Sequence, residues 1–572
     1  MSQAKTQVSH PYPDTPLKVL HLSGSDYEIG RAHAEALGDS VRQGMVHFYY
    51  EFWQRMLNSV NVGGLEGWIV KRVQSLVDPF LVQRLAKNIP PASLDRLRGV
   101  AEAAELPMEQ LLTIVVLPDL LPWLQALSTR FQPDAFVGVS TPIFGCSSFV
   151  NRGEYFLHGR NLDFPGVAYW DRYPVIQCTE RQGGRHRFIG FTTAGVPICG
   201  ITGVNEAQIS VSLHQHYCRE TNTKGVLPFV IGEEILSEAA SLDEARAILE
   251  RHRVATSWAF VVTDGKTRDA FVCETHPKAR GIRYLGNGSV CLSHSNYFQS
   301  QECKPMEYAA TARMNWDNYS RKTRLEHLVN EEGYALQPEQ AVRFMGDHFD
   351  PYWRKEKPFN RTVSQVYNIQ SLVLDPERMK LWIAEGPAPI HLREYQEYDL
   401  AEIFAGKQGK SPHRFPGFRF AKPETAVAKE AYILSFIAAM DGDLELAWTE
   451  LERCLKAEFF PEAALTAAVL QMKRREFQSA VDLLERANHE LGSQIAGRTV
   501  VPPEYFEIRF FLARAYDLVG RREEAVRYYR SVSQDPRLED PNVRKMALKE
   551  GPYTADKLGR ILMPYSTYIP FQ

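Results

Sequence analysis

Between residues 143 and about 393 the hydrophobic spacing changes from helical to strand-like, and helical spacing returns only after residue 426. A strand-rich stretch enclosed between two helical ones excludes an all-α bundle and an all-β sandwich, and predicts an α+β fold with antiparallel hairpins. The strand candidates are SSFVNR, EYFLHGRNL, YPVIQCTE, RFIGFTTA, AQISVSLHQ, SWAFVVTD, DAFVCETH, GSVCLSH and SLVLDPERMKLWIAEG, each bounded by turn residues. VVTDGKTRDAFV and LVLDPERMKLWIA each read as two strands around a turn. One helix, LDEARAILERHR (242–253), interrupts them.

The same pattern sets the expected domains. Residues 1–16 are polar and proline-containing, without the apolar segment of a secretory signal, and read as a disordered tail. Residues 17–145 read mostly helical, with apolar residues at helical spacing in 31–57, near 70–86 and in 93–105. Residues 146–395 are the strand-rich region. The stretch 396–425 reads as a linker, because 404–425 is rich in Gly, Pro and Lys and has no period. Residues 426–550 hold three helical pairs, and 551–572 a C-terminal tail. The second helix of each pair opens on an alanine, Ala447, Ala480 or Ala525. The first two are 33 residues apart, near the ~34-residue period of tetratricopeptide (TPR) repeats; the third is 45 further on, so a loop is inserted. An irregular helical bundle is the alternative. Stacked repeats form a concave surface, which predicts a protein partner or self-association.

The chain has 572 residues, 44% of them hydrophobic, enough for several domains. A net charge of -3 with no basic stripe argues against nucleic acid. The most apolar stretch, 111–127, is broken by Pro118, Asp119 and Pro122, which predicts a buried helix rather than a membrane span, and a cytoplasmic location is expected. The eight cysteines form no CxxC pair and read as buried thiols. His214 and His216 alternate on a candidate strand, but no third ligand accompanies them, so no metal is expected. Glu233 and Glu234 read as a solvated helix face.

Chemistry concentrates in FGCSSFVNRGEYFLHGRNLDFPG, residues 144–166. Cys146 follows Gly145 where the strand-rich region begins, and glycine tolerates backbone angles that would expose the Gly145–Cys146 peptide to attack. Arg160 and Asp163 follow on the next strand and turn. A cation beside a thiol favours thiolate, and a carboxylate holds a protonated amine. Alone, an apolar-flanked cysteine is usually a core residue.

This string resembles the nucleophile segment of cysteine N-terminal-nucleophile (Ntn) hydrolases. The resemblance is to the acyl-CoA:6-aminopenicillanic acid acyltransferase family (peptidase family C45), and more distantly to choloylglycine hydrolase, penicillin V acylase and acid ceramidase. LSGSDYEIGRAHAEALG (22–38), ITGVNEAQISVSLHQH (201–216), 241–274, CLSHSNYF (291–298) and 361–389 resemble further family segments in the expected order. The resemblance implies a four-layer αββα sandwich, followed here by the TPR-like helices. It implies self-cleavage between Gly145 and Cys146, with Cys146 as nucleophile, Arg160 and Asp163 beside it, and Asn296 helping to form an oxyanion hole. Tyr297 stands where relatives have histidine, a change that bears on the acyl pocket. A second oxyanion residue is expected near His214 or Gln215, and Arg361 corresponds to a second active-site arginine.

The implied chemistry is hydrolysis of a linear amide, or transfer of an acyl group to an amine from a thioester such as a coenzyme A ester, taken as substrate; no cofactor is expected. The other reading is a scaffold whose TPR-like helices do the work and whose Ntn fold is inactive or unprocessed.

Overall fold

The computed structural model describes residues 16–49, 82–131, 145–307, 311–560 and 563–565. The expected tail 1–15, the helical expectations for 50–57 and 70–81, and the connection 132–144 lie outside the described residues.

The chain is a mixed α/β structure with a C-terminal helical region. It opens with β1 (Lys18–Gly24) and α1 (Asp26–Leu37), then α2 (Pro91–Ala103) and α3 (Met108–Phe131). The strands β2 (Gly145–Arg152), β3 (Phe156–Asp163), β4 (Pro174–Arg181), β5 (Phe188–Thr193), β6 (Thr202–Asn205) and β7 (Ile209–Gln215) follow. Next come α4 (Pro228–Glu238), α5 (Leu242–Arg251), β8 (Trp258–Asp264), β9 (Asp269–His276), β10 (Ala279–Tyr284) and β11 (Cys291–His294). After α6 (Ala312–Glu332), α7 (Pro338–Met345) and the short pair β12 (Phe349–Asp350) and β13 (Lys355–Glu356) come β14 (Asn368–Asp375) and β15 (Lys380–Ala384). The strand-rich part closes with β16 (Tyr395–Asp399), α8 (Leu400–Phe404) and β17 (Lys410–Phe415).

Two sheets result. One runs β1-β4-β5-β6-β7-β8-β9-β10, with β1 parallel to β4; the other runs β11-β2-β3-β14-β15-β16-β17 and is antiparallel throughout. They face each other through shared apolar clusters, one joining Ile176, Ile189 and Phe191 to Leu372, Leu374 and Ile383, another joining Val150 and Phe156 to Val261 and Val272. His158 of β3 crosses the gap to Ser210 and Ser212 of β7, at 2.8 and 2.9 Å. Helices α4 and α5 pack on the first sheet, α6 and α7 on the second.

The stretch 22–38 shows why a short motif is held so tightly. Gly24 takes φ +121°, a conformation open to glycine. Ser25 caps α1 and exchanges hydrogen bonds with Glu28 in a capping box. A Cβ at Gly30 would run into the Arg96 carbonyl of α2, so that crossing requires glycine.

Two expectations need correction. Residues 396–415 are not a linker: β16 and β17 extend the second sheet, and the Gly- and Lys-rich composition marks the turn between them. Within the mostly helical stretch 17–145, β1 completes an edge of the first sheet. The described part of the C-terminal stretch is not a loose tail: buried Tyr565 bonds Ser435, and Pro564 O accepts from Thr466 at 2.9 Å.

The three helical pairs are present as α9 (Pro423–Asp441) with α10 (Leu444–Ala457), α11 (Pro461–Lys473) with α12 (Phe477–Gln494), and α13 (Pro503–Leu518) with α14 (Arg522–Ser533); α15 (Pro541–Leu548) follows. Gly442 at φ +84° ends α9, and Asp443 caps α10 through the Leu446 N–H. Ala447, Ala480 and Ala525 are fully buried. The stretch 111–127 lies within α3, whose residues Leu111 to Leu120 are mostly buried. Among the described residues no helix is long and apolar enough to cross a membrane.

Candidate active site

Cys146 sits in the second residue of β2, paired with Leu162 of β3, while Gly145 pairs with Asp163. Directly opposed residues of an antiparallel pair share a face. Cys146, Ser148, Arg160 and Leu162 therefore face the first sheet, and Ser147 and Asn161 face α6 and α7. Gly145 lies in regular strand without a positive φ, so the expected strained backbone is absent. Glycine eases crowding there: a Cβ would stand 3.2 Å from the Asp163 Cβ, so that side chain would have to shift by a few tenths of an ångström.

The thiol is fully buried, in an apolar cluster shared with Leu162, Phe164 and residues of α3. Burial pushes its pKa up; the Arg160 guanidinium and the Asp163 backbone N–H pull it down, and the Asp163 carboxylate opposes them. Burial wins in the uncleaved chain, so the arginine alone does not make a thiolate.

Arg160 is fixed from the opposite sheet. Its Nη2 donates to Leu213 O at 2.5 Å and its Nη1 to His214 Nε2 at 3.4 Å. Ser148 Oγ lies 2.8 Å from the same His214 nitrogen. Burial, then the Arg160 charge, holds His214 neutral, well below its usual pKa. His214 thus lies against Arg160 and Ser148. Gln215 serves through its backbone: its carbonyl accepts from Asn296 Nδ2 at 2.9 Å, while its own side chain reaches Pro118 O on α3 at 2.5 Å. His216 lies beyond the end of β7, its Nε2 2.9 Å from His294 Nε2. Among the described residues no group of three or more candidate ligands forms a metal site.

Asn296, just after β11, accepts the Cys146 backbone N–H at Oδ1, 2.6 Å away. This is the N–H of the Gly145–Cys146 peptide. The same Oδ1 accepts from Arg321 Nη2 at 3.1 Å. Arg321 Nη1 donates to Cys146 O at 2.6 Å and to Ser147 Oγ at 2.8 Å. Its Nε donates to Asp317 Oδ2 at 2.8 Å, and Nη2 also bonds Asn318. Asn318 Nδ2 in turn donates to Asn296 O at 2.9 Å. One face of α6 therefore grips the nucleophile strand and the Asn296 loop together.

The second arginine that reaches the nucleophile strand, beside Arg160, is Arg321, whereas Arg361 turns elsewhere. Arg361 binds Glu504 of α13 through Nη1 and Nη2 at 2.9 and 2.6 Å, and Asp350 through Nε at 3.1 Å. Sequence reasoning missed Arg321 because α6 buries Arg313, Asp317, Asn318 and Arg321 together, so its inner face lacks an apolar period. The one signal was spacing: Arg313, Asp317 and Arg321 follow one another at four-residue steps, with Asn318 beside Asp317. Glu233 is a second correction. It is buried, pairs with Arg96 at 2.7 Å and accepts from Cys199 N at 2.9 Å. Tyr297 lines an open cavity with Glu307, Trp316 and Tyr319. All eight cysteines are free and buried.

Asp163 Oδ1 accepts from Asn368 Nδ2 at 2.9 Å; Oδ2 is buried without a hydrogen-bond partner. Burial pushes this carboxyl up to about 6, with Arg321 and Asn368 opposing. A carboxyl whose folded pKa exceeds its unfolded value stabilises the fold below pH ~4, and that contribution is lost as pH rises through about 6. In a Cys146→Ala chain, Asp163→Asn is expected to remove stability loss on the order of 2 kcal/mol between pH ~4 and ~7. Urea unfolding at both pH values checks this; an unchanged pH slope contradicts it.

Residues 150–388 match the model of a family described as acyl-coenzyme A:6-aminopenicillanic acid acyl-transferase. The match begins four residues after Cys146 and spans Arg160, Asp163, Asn296, Arg321 and Arg361. No curated protein matches the chain.

Proposed function

We propose, from the acyl-transferase family match over residues 150–388, that the chain is a self-processing Ntn amidase or acyltransferase acting through Cys146. In this reading the facing sheets with their outer helices are the αββα sandwich of that class, and the paired C-terminal helices are TPR-like repeats. The observation that carries the reading is the hold on the two peptide groups that flank Cys146. Asn296 Oδ1 takes the N–H of the Gly145–Cys146 bond, Arg321 fixes both Asn296 and the Cys146 carbonyl, and Asp163 packs against Gly145 with one oxygen unbonded.

In the uncleaved chain the Cys146 sulfur attacks the Gly145 carbonyl carbon. Asp163, a stronger base than an ordinary carboxylate, takes the thiol proton. The C–N bond breaks, the nitrogen gains a proton, and a thioester links Gly145 to the sulfur. Water hydrolyses that ester, leaving a Gly145 carboxylate and a chain that begins at Cys146. The new ammonium meets Asn296 Oδ1 and the unbonded Asp163 oxygen, which satisfies a group the precursor leaves unpaired.

The freed α-amine, with an unperturbed pKa of about 7.7–8.0, then serves as base to the thiol on its own residue. The thiolate attacks the acyl carbon of a small-molecule amide or thioester. The Asn296 carboxamide and a backbone N–H stabilise the oxyanion, a contribution of about 3–4 kcal/mol. The ammonium returns its proton to the leaving group, and water or an amine releases the acyl group. Cys146 belongs to the same apolar cluster as Leu162, Phe164 and Leu111 to Leu120 of α3, surroundings that favour an apolar acyl chain.

The test is the fate of the acyl group. A fatty-acyl thioester incubated with the protein, with and without an added amine, is expected to give free acid alone if the enzyme is a hydrolase and acyl amide if it is a transferase. Neither product, with no acyl adduct on the protein, contradicts the reading.

A further inference from the structure

We propose that Glu504, on α13 of the C-terminal helical region, is a positioning residue for the Cys146 site. This rests on Cys146 being the nucleophile.

Three cations of the strand-rich region are buried against carboxylates of the helical region: Arg313 with Glu507, Lys357 with Glu462, and Arg361 with Glu504. A buried ion pair is by itself weak grounds for a role, since desolvation offsets much of the attraction. The Arg361–Glu504 pair differs from the other two in what its backbone does. The Arg361 N–H donates to Asp317 Oδ1 at 2.9 Å. Asp317 Oδ2 accepts from Arg321 Nε at 2.8 Å, and Arg321 donates to Cys146 O at 2.6 Å and to Asn296 Oδ1 at 3.1 Å. An unbroken series of hydrogen bonds thus runs from Glu504 to both ends of the nucleophile's contacts.

The turn that makes this connection is strained. Asn360 and Arg361 have φ of +67° and +55°, conformations that side-chain-bearing residues take only when the surroundings impose them. The two-pronged Glu504 grip and the Asp350 contact on the guanidinium supply that constraint. Without Glu504 the turn relaxes, the Arg361 N–H leaves Asp317, and Arg321 loses its backing. Arg313–Glu507 joins the same two regions one helical turn before Asp317 on α6. The helical region is on this account a structural part of the active site.

The experiment uses the full chain carrying Glu504→Gln, with Glu507→Gln and Glu462→Gln as comparison variants and Glu504→Asp as conservative replacement. It reads cleavage at 145/146 over time, kcat and KM for a fatty-acyl thioester, and the melting temperature. Glu504→Gln is expected to lower the cleavage rate and kcat at least about tenfold, with KM within about twofold. Glu507→Gln and Glu462→Gln are expected to keep kcat within about threefold at a comparable drop in melting temperature, and Glu504→Asp to recover part of the loss. If Glu504→Gln does not fold, Glu504→Asp against Glu507→Gln carries the same comparison. The inference is overturned if the variants lose kcat in step with their loss of stability, or if Glu504→Gln raises KM alone. In either case normal cleavage of the parent chain leaves the Cys146 reading standing; a parent chain inert at Cys146 removes both.

Discussion

Cys146→Ala is expected to leave a single 65.2 kDa chain and to abolish turnover. Removing a nucleophile from a preorganised site typically costs on the order of 10⁴–10⁶ in kcat. Here the loss is doubled in kind, because the same sulfur opens the Gly145–Cys146 bond and would later carry the acyl group. The variant is not expected to disturb the fold. Residue 146 is held through its backbone, by Asn296 Oδ1 and Arg321, and those contacts survive loss of the sulfur. A denaturing gel and an acyl-thioester assay on the same preparation check both halves. Cleavage persisting in the alanine chain contradicts the account.

Arg321→Ala is expected to act on chemistry and stability together. Its guanidinium holds the Cys146 carbonyl, Ser147 Oγ and Asn296 Oδ1, so the peptide that follows the nucleophile loses its anchor, as does Asn296, which holds the N–H of the bond to be cleaved. Loss of one such preorganised group costs about 10²–10³ in kcat. The substitution also leaves Asp317 buried with its Oδ2 unpaired, and breaking a buried pair from one side costs about 3–5 kcal/mol. The double variant Arg321→Ala/Asp317→Ala separates the two effects. It is expected to recover much of the stability and none of the activity. Recovery of activity with stability would make Arg321 a structural residue only. Denaturant midpoints and kcat on the three chains read the difference.

Much of this fold was legible in sequence, because its strands and C-terminal helices obey simple periods. The runs from SSFVNR to KLWIA correspond to observed strands, and the three helical pairs lie where their apolar spacing put them. The failures have separate causes. Where burial is polar, periodicity carries no signal. Helix α6 turns Arg313, Asp317, Asn318 and Arg321 inward, so neither the helix nor its catalytic-side arginine stood out. The segment 396–425 looked like a linker because an edge hairpin, exposed on one side, has the Gly and Lys content of a loop. Glu233 looked solvated because its partner Arg96 is far away in sequence.

The nucleophile region divides in the same way. The local pieces, Cys146 with Arg160 and Asp163, were readable because a hairpin register places residues of adjacent strands together. Asn296 came through the family resemblance and does reach the Cys146 N–H. Arg361 came through the same resemblance, which fixes a residue's order along the chain and not the direction of its side chain. Arg361 turns to Glu504, and His214 backs Arg160.

The central claim is that one residue supplies sulfur and amine from a newly made chain terminus. Intact mass followed by peptide mapping, after brief reaction with an acyl thioester and acid quench, tests it most directly. The account predicts two chains that meet between residues 145 and 146, with the acyl mass carried by the peptide beginning at Cys146. An acyl group on any other residue, or on an uncut chain, would contradict it.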